Sequence, residues 1–222
     1  MEKFCKIYYA DTDVFVGNGD LIQKRLGEID EERRERVMRA RFDDVKADVL
    51  AGGLIIKAAL NDACGITDFQ TTKNEFGKLY LASHPEVFFN ISHSGTKIVC
   101  AVSDVECGVD IEQVGAEHKI MELSARFLST LESNAVMMSE DPDCAFCRLW
   151  TLRESYVKMR GRGFDIGLST LRCDFRRGKA SIYEGGVLQE DAFFKEISGI
   201  MGYQASVCLK EERDVSAKKI VI

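Results

Sequence analysis

Phe88-Phe89-Asn90-Ile91-Ser92, an apolar run ending in polar residues, is answered far downstream by Phe193-Phe194-Lys195-Glu196-Ile197-Ser198. Further matches fall in the same order along the chain. Gly77-Lys78 recurs as Gly178-Lys179, and Leu54-Ile55-Ile56-Lys57 has a counterpart in Ser155-Tyr156-Val157-Lys158. Ala40-Arg41-Phe42 returns as Ala125-Arg126-Phe127, and Ile98-Val99-Cys100 is matched by Ser206-Val207-Cys208. Each match is weak alone, but chance does not readily make them colinear. Two units of about a hundred residues point to a duplicated α/β module, whereas a solenoid would need more repeats.

Both units read alike. A helix comes first, at Glu32–Phe42 and at Ile120–Phe127, and a longer apolar helix follows near Val45–Ala63 and Cys144–Met159. Short alternating or apolar strands come next: Lys78–Ala82, Val87–Ser92 and Lys97–Ser103 in the first unit, and Leu171–Phe175, Lys179–Tyr183, Phe193–Ile197 and Tyr203–Leu209 in the second, which opens on a strand at Cys107–Glu112. The expected fold is α+β, a pseudo-dimer of two similar α/β halves, residues 1–104 and 105–222, with small antiparallel sheets covered by helices. A site between the halves is the natural expectation, since pockets favour such junctions.

The composition bounds the function. The chain has 222 residues, 45% of them apolar and 30% charged, as an ordinary globular protein has. No apolar run is long enough to span a bilayer, and the opening stretch Met1-Glu2-Lys3-Phe4-Cys5-Lys6-Ile7 lacks the pattern of a secretory signal, so a cytoplasmic enzyme that does not bind membranes is expected. A net charge of −6 argues against nucleic acid as the main partner. The cluster Arg33, Arg34, Arg36, Arg39 and Arg41 is either a solvated helix face or a seat for a phosphate-rich ligand. The eight cysteines lie in apolar segments; Cys144 and Cys147 have CxxC spacing but no second pair of ligands, and read as buried structural thiols.

Three segments carry chemistry. In Gly108-Val109-Asp110-Ile111-Glu112 a strand places Asp110 and Glu112 on one face and Val109 and Ile111 on the other. Two carboxylates side by side either face solvent on an edge strand or hold a hard cation such as Mg²⁺, which takes its other ligands from water and phosphate. In Trp150-Thr151-Leu152-Arg153-Glu154-Ser155-Tyr156-Val157-Lys158, Glu154 and Lys158 share a helix face, as a surface ion pair or as working groups in a largely buried place. Asn90-Ile91-Ser92-His93-Ser94-Gly95 is a polar turn that presents Ser92, His93 and Ser94; Ser92 and His93 point to opposite faces and so cannot form a hydrolase dyad on spacing alone. No GxSxG elbow and no GxxxxGK[ST] loop are present, and Gly161-Arg162-Gly163 reads as a helix stop.

Together the Asn-Ile-Ser-His-Ser turn, the Gly-Val-Asp-Ile-Glu strand and the Trp-Thr-Leu-Arg-Glu-Ser-Tyr-Val-Lys helix resemble, in order and spacing, the signature blocks of Sfp-type 4′-phosphopantetheinyl transferases. The resemblance runs from about Arg33 to Phe175. It implies a pseudo-dimeric α/β fold and transfer of the phosphopantetheine arm of coenzyme A to a serine of an apo acyl or peptidyl carrier protein, with release of 3′,5′-ADP. Asp110, Glu112 and Glu154 match the magnesium ligands, and Glu154 is also a candidate base for the serine hydroxyl. Lys158 matches the lysine on the phosphates. His93, Ser92, Arg33, Arg36 and Lys78 match positions that hold the coenzyme A phosphates or the adenine end. Two fused halves supply both sides of the site, so a monomer suffices.

The sequence departs from the family in places. Asp48-Val49-Leu50-Ala51-Gly52 stands where the family often has an arginine that contacts the nucleotide, so that either Lys46 substitutes or coenzyme A binds more weakly. Arg153 replaces the usual lysine before the helix glutamate, and Leu79 replaces a proline. Two rival functions use the same groups: a coenzyme A-binding module without chemistry, and a magnesium phosphohydrolase.

Overall fold

The computed structural model describes residues 3–116, 120–176 and 178–222. The first half runs β1 (Cys5–Asp11), α1 (Gly19–Arg25), α2 (Glu31–Arg39), α3 (Asp43–Cys64), β2 (Thr71–Lys73), β3 (Leu79–Leu81), β4 (Phe88–Ser94) and β5 (Lys97–Ser103). The second runs β6 (Cys107–Gln113), α4 (Ile120–Phe127), α5 (Thr130–Met137), α6 (Pro142–Arg160), β7 (Leu171–Arg176), β8 (Lys179–Glu184), β9 (Val187–Leu188), β10 (Phe193–Glu196), β11 (Tyr203–Leu209) and β12 (Val215–Lys219).

The duplication is visible in the topology. In the first half β5 lies between β1 and β4, antiparallel to both; in the second β11 lies between β6 and β10, again antiparallel to both. A long helix accompanies each set, and each half carries a hairpin whose turn glycine has positive φ, Gly77 at 87° and Gly178 at 77°. The α+β pseudo-dimer expected from the repeats is therefore the fold. Strand β12 returns to pair in parallel with β1, Ile7 opposite Ala217, so the end of the second half completes the first sheet. Arg213, at the start of that return, donates to both oxygens of Asp104 and ties the crossing down.

Local sequence explains the two helices that matter most. Helix α6 starts where the Asp141 carboxylate caps the Cys144 amide with Pro142 in the first turn, and stops where Gly161 takes a left-handed φ of 64°. Helix α3 stops in the same way at Gly65. Helix α2 ends at Arg39, short of the expected Phe42, because Ala40 turns extended and Phe42 serves as the N-cap residue of α3. Apolar residues gather in three layers. One packs α3 onto the first sheet (Leu50, Ile55, Phe89, Cys100), one packs sheet on sheet (Ile7, Val99, Ala101 against Val109, Ile111, Val207), and one packs α6 onto β7, β8 and β11. Cys100, Cys107 and Cys208 are buried packing groups, as read from sequence, and Cys147 is buried with its thiol pushed up to about 12 by desolvation, then by Glu112.

Candidate active site

The edge strands of the two sheets face each other across the junction. Along β4, Asn90, Ser92 and Ser94 lie two apart and point at β6. Asn90 Oδ1 accepts the Val109 amide at 3.0 Å, Ser92 Oγ donates to Asp110 Oδ1 at 2.8 Å, and Ser94 Oγ donates to Glu112 Oε2 at 2.9 Å while accepting the Gln113 amide at 3.1 Å. Period-two alternation on both strands creates this polar seam, while Val109 and Ile111 turn into the sheet-on-sheet core. The strand expected to end at Ser92 continues to Ser94. Sequence reasoning presents Ser94 from a turn, where the structure makes it the last strand residue and a partner of Glu112, and it misses Asn90 as a partner of the carboxylate strand.

Helix α6 closes the seam from above. Gly108 lets it approach, since a side chain there would strike the Met159 and Ser155 backbone. Two residues along the same face of β6, Asp110 Oδ1 accepts from Lys158 Nζ at 2.6 Å, and Lys158 also donates to Ser92 Oγ at 2.8 Å. Lys158 is therefore not the i,i+4 partner of Glu154 but joins α6 to both halves. Glu154, one turn earlier, is pushed up by burial and by Asp110, with Lys158 opposing. Burial, followed by the Asp110 charge and more weakly by Glu154, lifts Glu112 to about 7 against Ser94 and Lys158. Asp110 is 3% exposed, and its Oδ2 has no hydrogen-bond partner among the described residues. A cavity of about 260 Å³ opens beside these groups, lined by Glu154, Lys158, Lys78 and the apolar Phe76, Ile91 and Val157.

The remaining expected residues sit differently. His93 is on the opposite face of β4, half exposed, its Nδ1 3.3 Å from Asp48 Oδ2 on α3. Burial, opposed by His93 and reinforced by Asp44, pushes the Asp48 carboxyl up. The acid standing where the family often has arginine thus meets the histidine, and Lys46 is paired with Asp43 at 3.0 Å. In the arginine cluster, Arg33, Arg34 and Arg39 pair with Asp30, Glu31 and Glu35 of their own helix region, at 2.5, 2.6 and 2.7 Å. Arg36 is exposed and, among the described residues, in no ion pair. Lys78 is almost wholly buried; its ammonium contacts Glu106 and donates to the Met159 carbonyl at 2.7 Å.

The residues fit a divalent cation in charge and donor type. Asp110 lies near enough to Glu112 and Glu154 that its charge raises both carboxyls, and one buried Asp110 oxygen lacks a partner among the described residues. Among the described residues no three such groups are already gathered at coordinating positions, and the Lys158 ammonium supplies the local positive charge.

A family model described as the 4′-phosphopantetheinyl transferase superfamily matches residues 106–208. A 4′-phosphopantetheinyl transferase of Bacillus subtilis is 28% identical over 210 residues, covering 91% of this chain and 91% of that protein. The transferase Sfp of Bacillus subtilis is 26% identical, covering 81% of each chain. The transferase gsp of Aneurinibacillus migulanus is 30% identical, covering 72% of this chain and 67% of its own length. The chain belongs to the 4′-phosphopantetheinyl transferase superfamily.

Proposed function

We propose that this cleft transfers 4′-phosphopantetheine from coenzyme A to a serine of an apo acyl or peptidyl carrier protein. The observation that carries the reading is the meeting of Lys158, Asp110 and Ser92, one group from each of α6, β6 and β4, with Glu112 and Glu154 gathered about the same carboxylate. Family membership and three relatives named for this transfer favour it over coenzyme A binding without chemistry and over phosphohydrolysis.

Asp110, Glu112 and Glu154 would hold Mg²⁺, which when bound supplies positive charge to the pyrophosphate oxygens. The chain's own groups do the rest. Glu154, raised by its burial, accepts the serine hydroxyl proton. The serine oxygen bonds to the β-phosphorus as the bond from that phosphorus to the bridging oxygen breaks. Lys158 and Ser92, already hydrogen bonded to one another, stabilise the charge on the departing 3′,5′-ADP. His93 and Arg36 take the 3′-phosphate end. Arg33 would first have to leave Asp30.

In this reading the protein is a cytoplasmic monomer acting on coenzyme A and a carrier protein, with neither nucleic acid nor membrane as a partner. No helix among the described residues is long and apolar enough to cross a membrane. The test is intact-mass measurement of apo carriers after incubation with the protein, coenzyme A and Mg²⁺. One phosphopantetheine should be added per carrier. Breakdown of coenzyme A without carrier would point instead to a hydrolase, and binding without either reaction to a binding module. Arg36→Ala is expected to raise the KM for coenzyme A several-fold more than that for dephospho-coenzyme A, because an exposed guanidinium contributes to the ligand only through the added phosphate. Equal effects on both substrates would return the arginine cluster to a solvated face.

A further inference from the structure

We infer that Lys78, with Glu106, is a positioning residue that caps α6 from the other half of the molecule and so sets the distance between the two elements bearing Asp110 and Lys158. The inference rests on the proposed transferase reading for its kinetic arm only.

A helix leaves its last carbonyls without intrahelical partners, and its C-terminus favours positive charge. At the end of α6 the partners come from the first half. Lys78 Nζ donates to the Met159 carbonyl at 2.7 Å, and Asn74 Nδ2 donates to the Gly161 carbonyl at 2.7 Å. Asn74 Oδ1 in turn accepts the Phe76 and Lys78 amides at 3.0 and 2.9 Å, so the 74–78 turn is folded around the asparagine that reads the helix end. The close fit depends on Gly161, where a side chain would strike the Lys78 stem and crowd Asn74 and Tyr80.

Lys78 also holds β6. Its ammonium contacts Glu106, the residue just before that strand, and Tyr80 OH donates to the other Glu106 oxygen at 3.3 Å, with the ammonium 5.6 Å from the Tyr80 ring. A single buried cation therefore grips β6 two residues before Gly108 and α6 one residue after Lys158. Gly108 packs against the amide side of Met159 while Lys78 holds its carbonyl side. With the backbone held on both sides of the Met159 Cα, the Lys158 ammonium is delivered to Asp110 at 2.6 Å. Two of the three donor protons of Lys78 are spent in this way. The expectation that it spends its charge on the coenzyme phosphates gives way to a structural use that acts on chemistry through Lys158 and Glu154.

The test compares Lys78→Met, Lys78→Arg, Glu106→Gln and the double variant Lys78→Met/Glu106→Gln. In the substrate-free proteins, amide exchange over residues 158–161 should accelerate in Lys78→Met and Glu106→Gln and return towards wild type in Lys78→Arg, whose fork can reach both acceptors. In transfer assays Lys78→Met and Glu106→Gln should each lower kcat by roughly ten- to a hundredfold, because misplacement by about 1 Å costs up to that much. The ratio of KM for coenzyme A to that for dephospho-coenzyme A should stay unchanged. The double variant should be no worse than the poorer single one, as for groups acting as a unit. If Lys78→Met fails to fold, Glu106→Gln and Asn74→Ala carry the same readouts. Unchanged exchange, additive losses, or a selective rise in KM for coenzyme A with Glu106→Gln silent would overturn the inference. Absence of transfer by the wild-type protein would instead overturn the proposed function, leaving the exchange result to decide on Lys78.

Discussion

Glu154→Gln is expected to keep the wild-type melting temperature and to bind coenzyme A, yet to lose kcat by at least about a hundredfold, the usual cost of removing acid–base help. The two readouts separate because of what surrounds the carboxylate. Among the described residues Glu154 has no ion pair to lose, since Lys158 reaches past it to Asp110 and Ser92. Its charge is disfavoured first by burial and then by Asp110. Neutralising it removes a repulsion from the folded protein, so stability should hold or rise slightly while the reaction loses its base. An exposed i,i+4 pair would behave otherwise: cutting it changes stability by only about 0.3–0.5 kcal/mol and leaves the rate alone. The measurement is kcat for conversion of apo to holo carrier, alongside thermal unfolding and calorimetric binding of coenzyme A. Transfer by Glu154→Gln near the wild-type rate would remove Glu154 from the mechanism.

How far an element is legible in sequence depends on how local its signal is. Strands β5 and β11 and helix α6 are legible because their apolar periodicity is strong and their ends are marked, α6 by Asp141-Pro142 at one end and Gly161 at the other. Asp110 and Glu112 are legible as a pair because a strand fixes which residues share a face. The strand β12 is not, since Val215-Ser216-Ala217-Lys218-Lys219 is mostly exposed and becomes a strand only by pairing with β1 from the opposite end of the chain. Helix α5 escapes the periodicity reading although Ser129-Thr130-Leu131-Glu132 carries the S-x-x-E signature, and the structure forms the reciprocal capping box there. Glu106 and Asn74 have no motif at all. Their roles exist only because the 74–78 turn meets the end of α6, a contact between segments far apart in sequence.

Replacing Arg153 by methionine is expected to cost about 3–5 kcal/mol of stability, the range seen when one member of a buried ion pair is removed. Arg153 is fully buried, and its Nη2 donates to Glu132 Oε1 at 2.6 Å and to the Leu171 carbonyl at 3.2 Å. Glu132 is the junction of three elements. Oε1 also accepts the Cys173 amide at 2.8 Å, and Oε2 accepts from the amide and hydroxyl of Ser129 at 2.9 and 2.7 Å. The loss comes less from the pair itself, since Arg153 Nε and Nη1 have no partners among the described residues, than from the carboxylate left charged and buried. Glu132→Gln in the Arg153→Met background should therefore recover part of the stability. The pH dependence gives a second check. Burial raises the Glu132 carboxyl, but Arg153, Ser129 and Cys173 together hold it below the ordinary range. A depressed folded value means that its stabilisation is complete above the unfolded carboxylate range and is lost as pH falls through the folded value. In Arg153→Met burial acts without the cation, the folded value rises, and less of the pH-dependent stabilisation is left to lose on acidification. The stability difference between wild type and variant, measured by urea unfolding, should accordingly narrow as pH falls through the carboxylate range. A loss below about 1 kcal/mol, or a gap that widens on acidification, would show that the Glu132 charge is carried by its hydrogen bonds and not by Arg153.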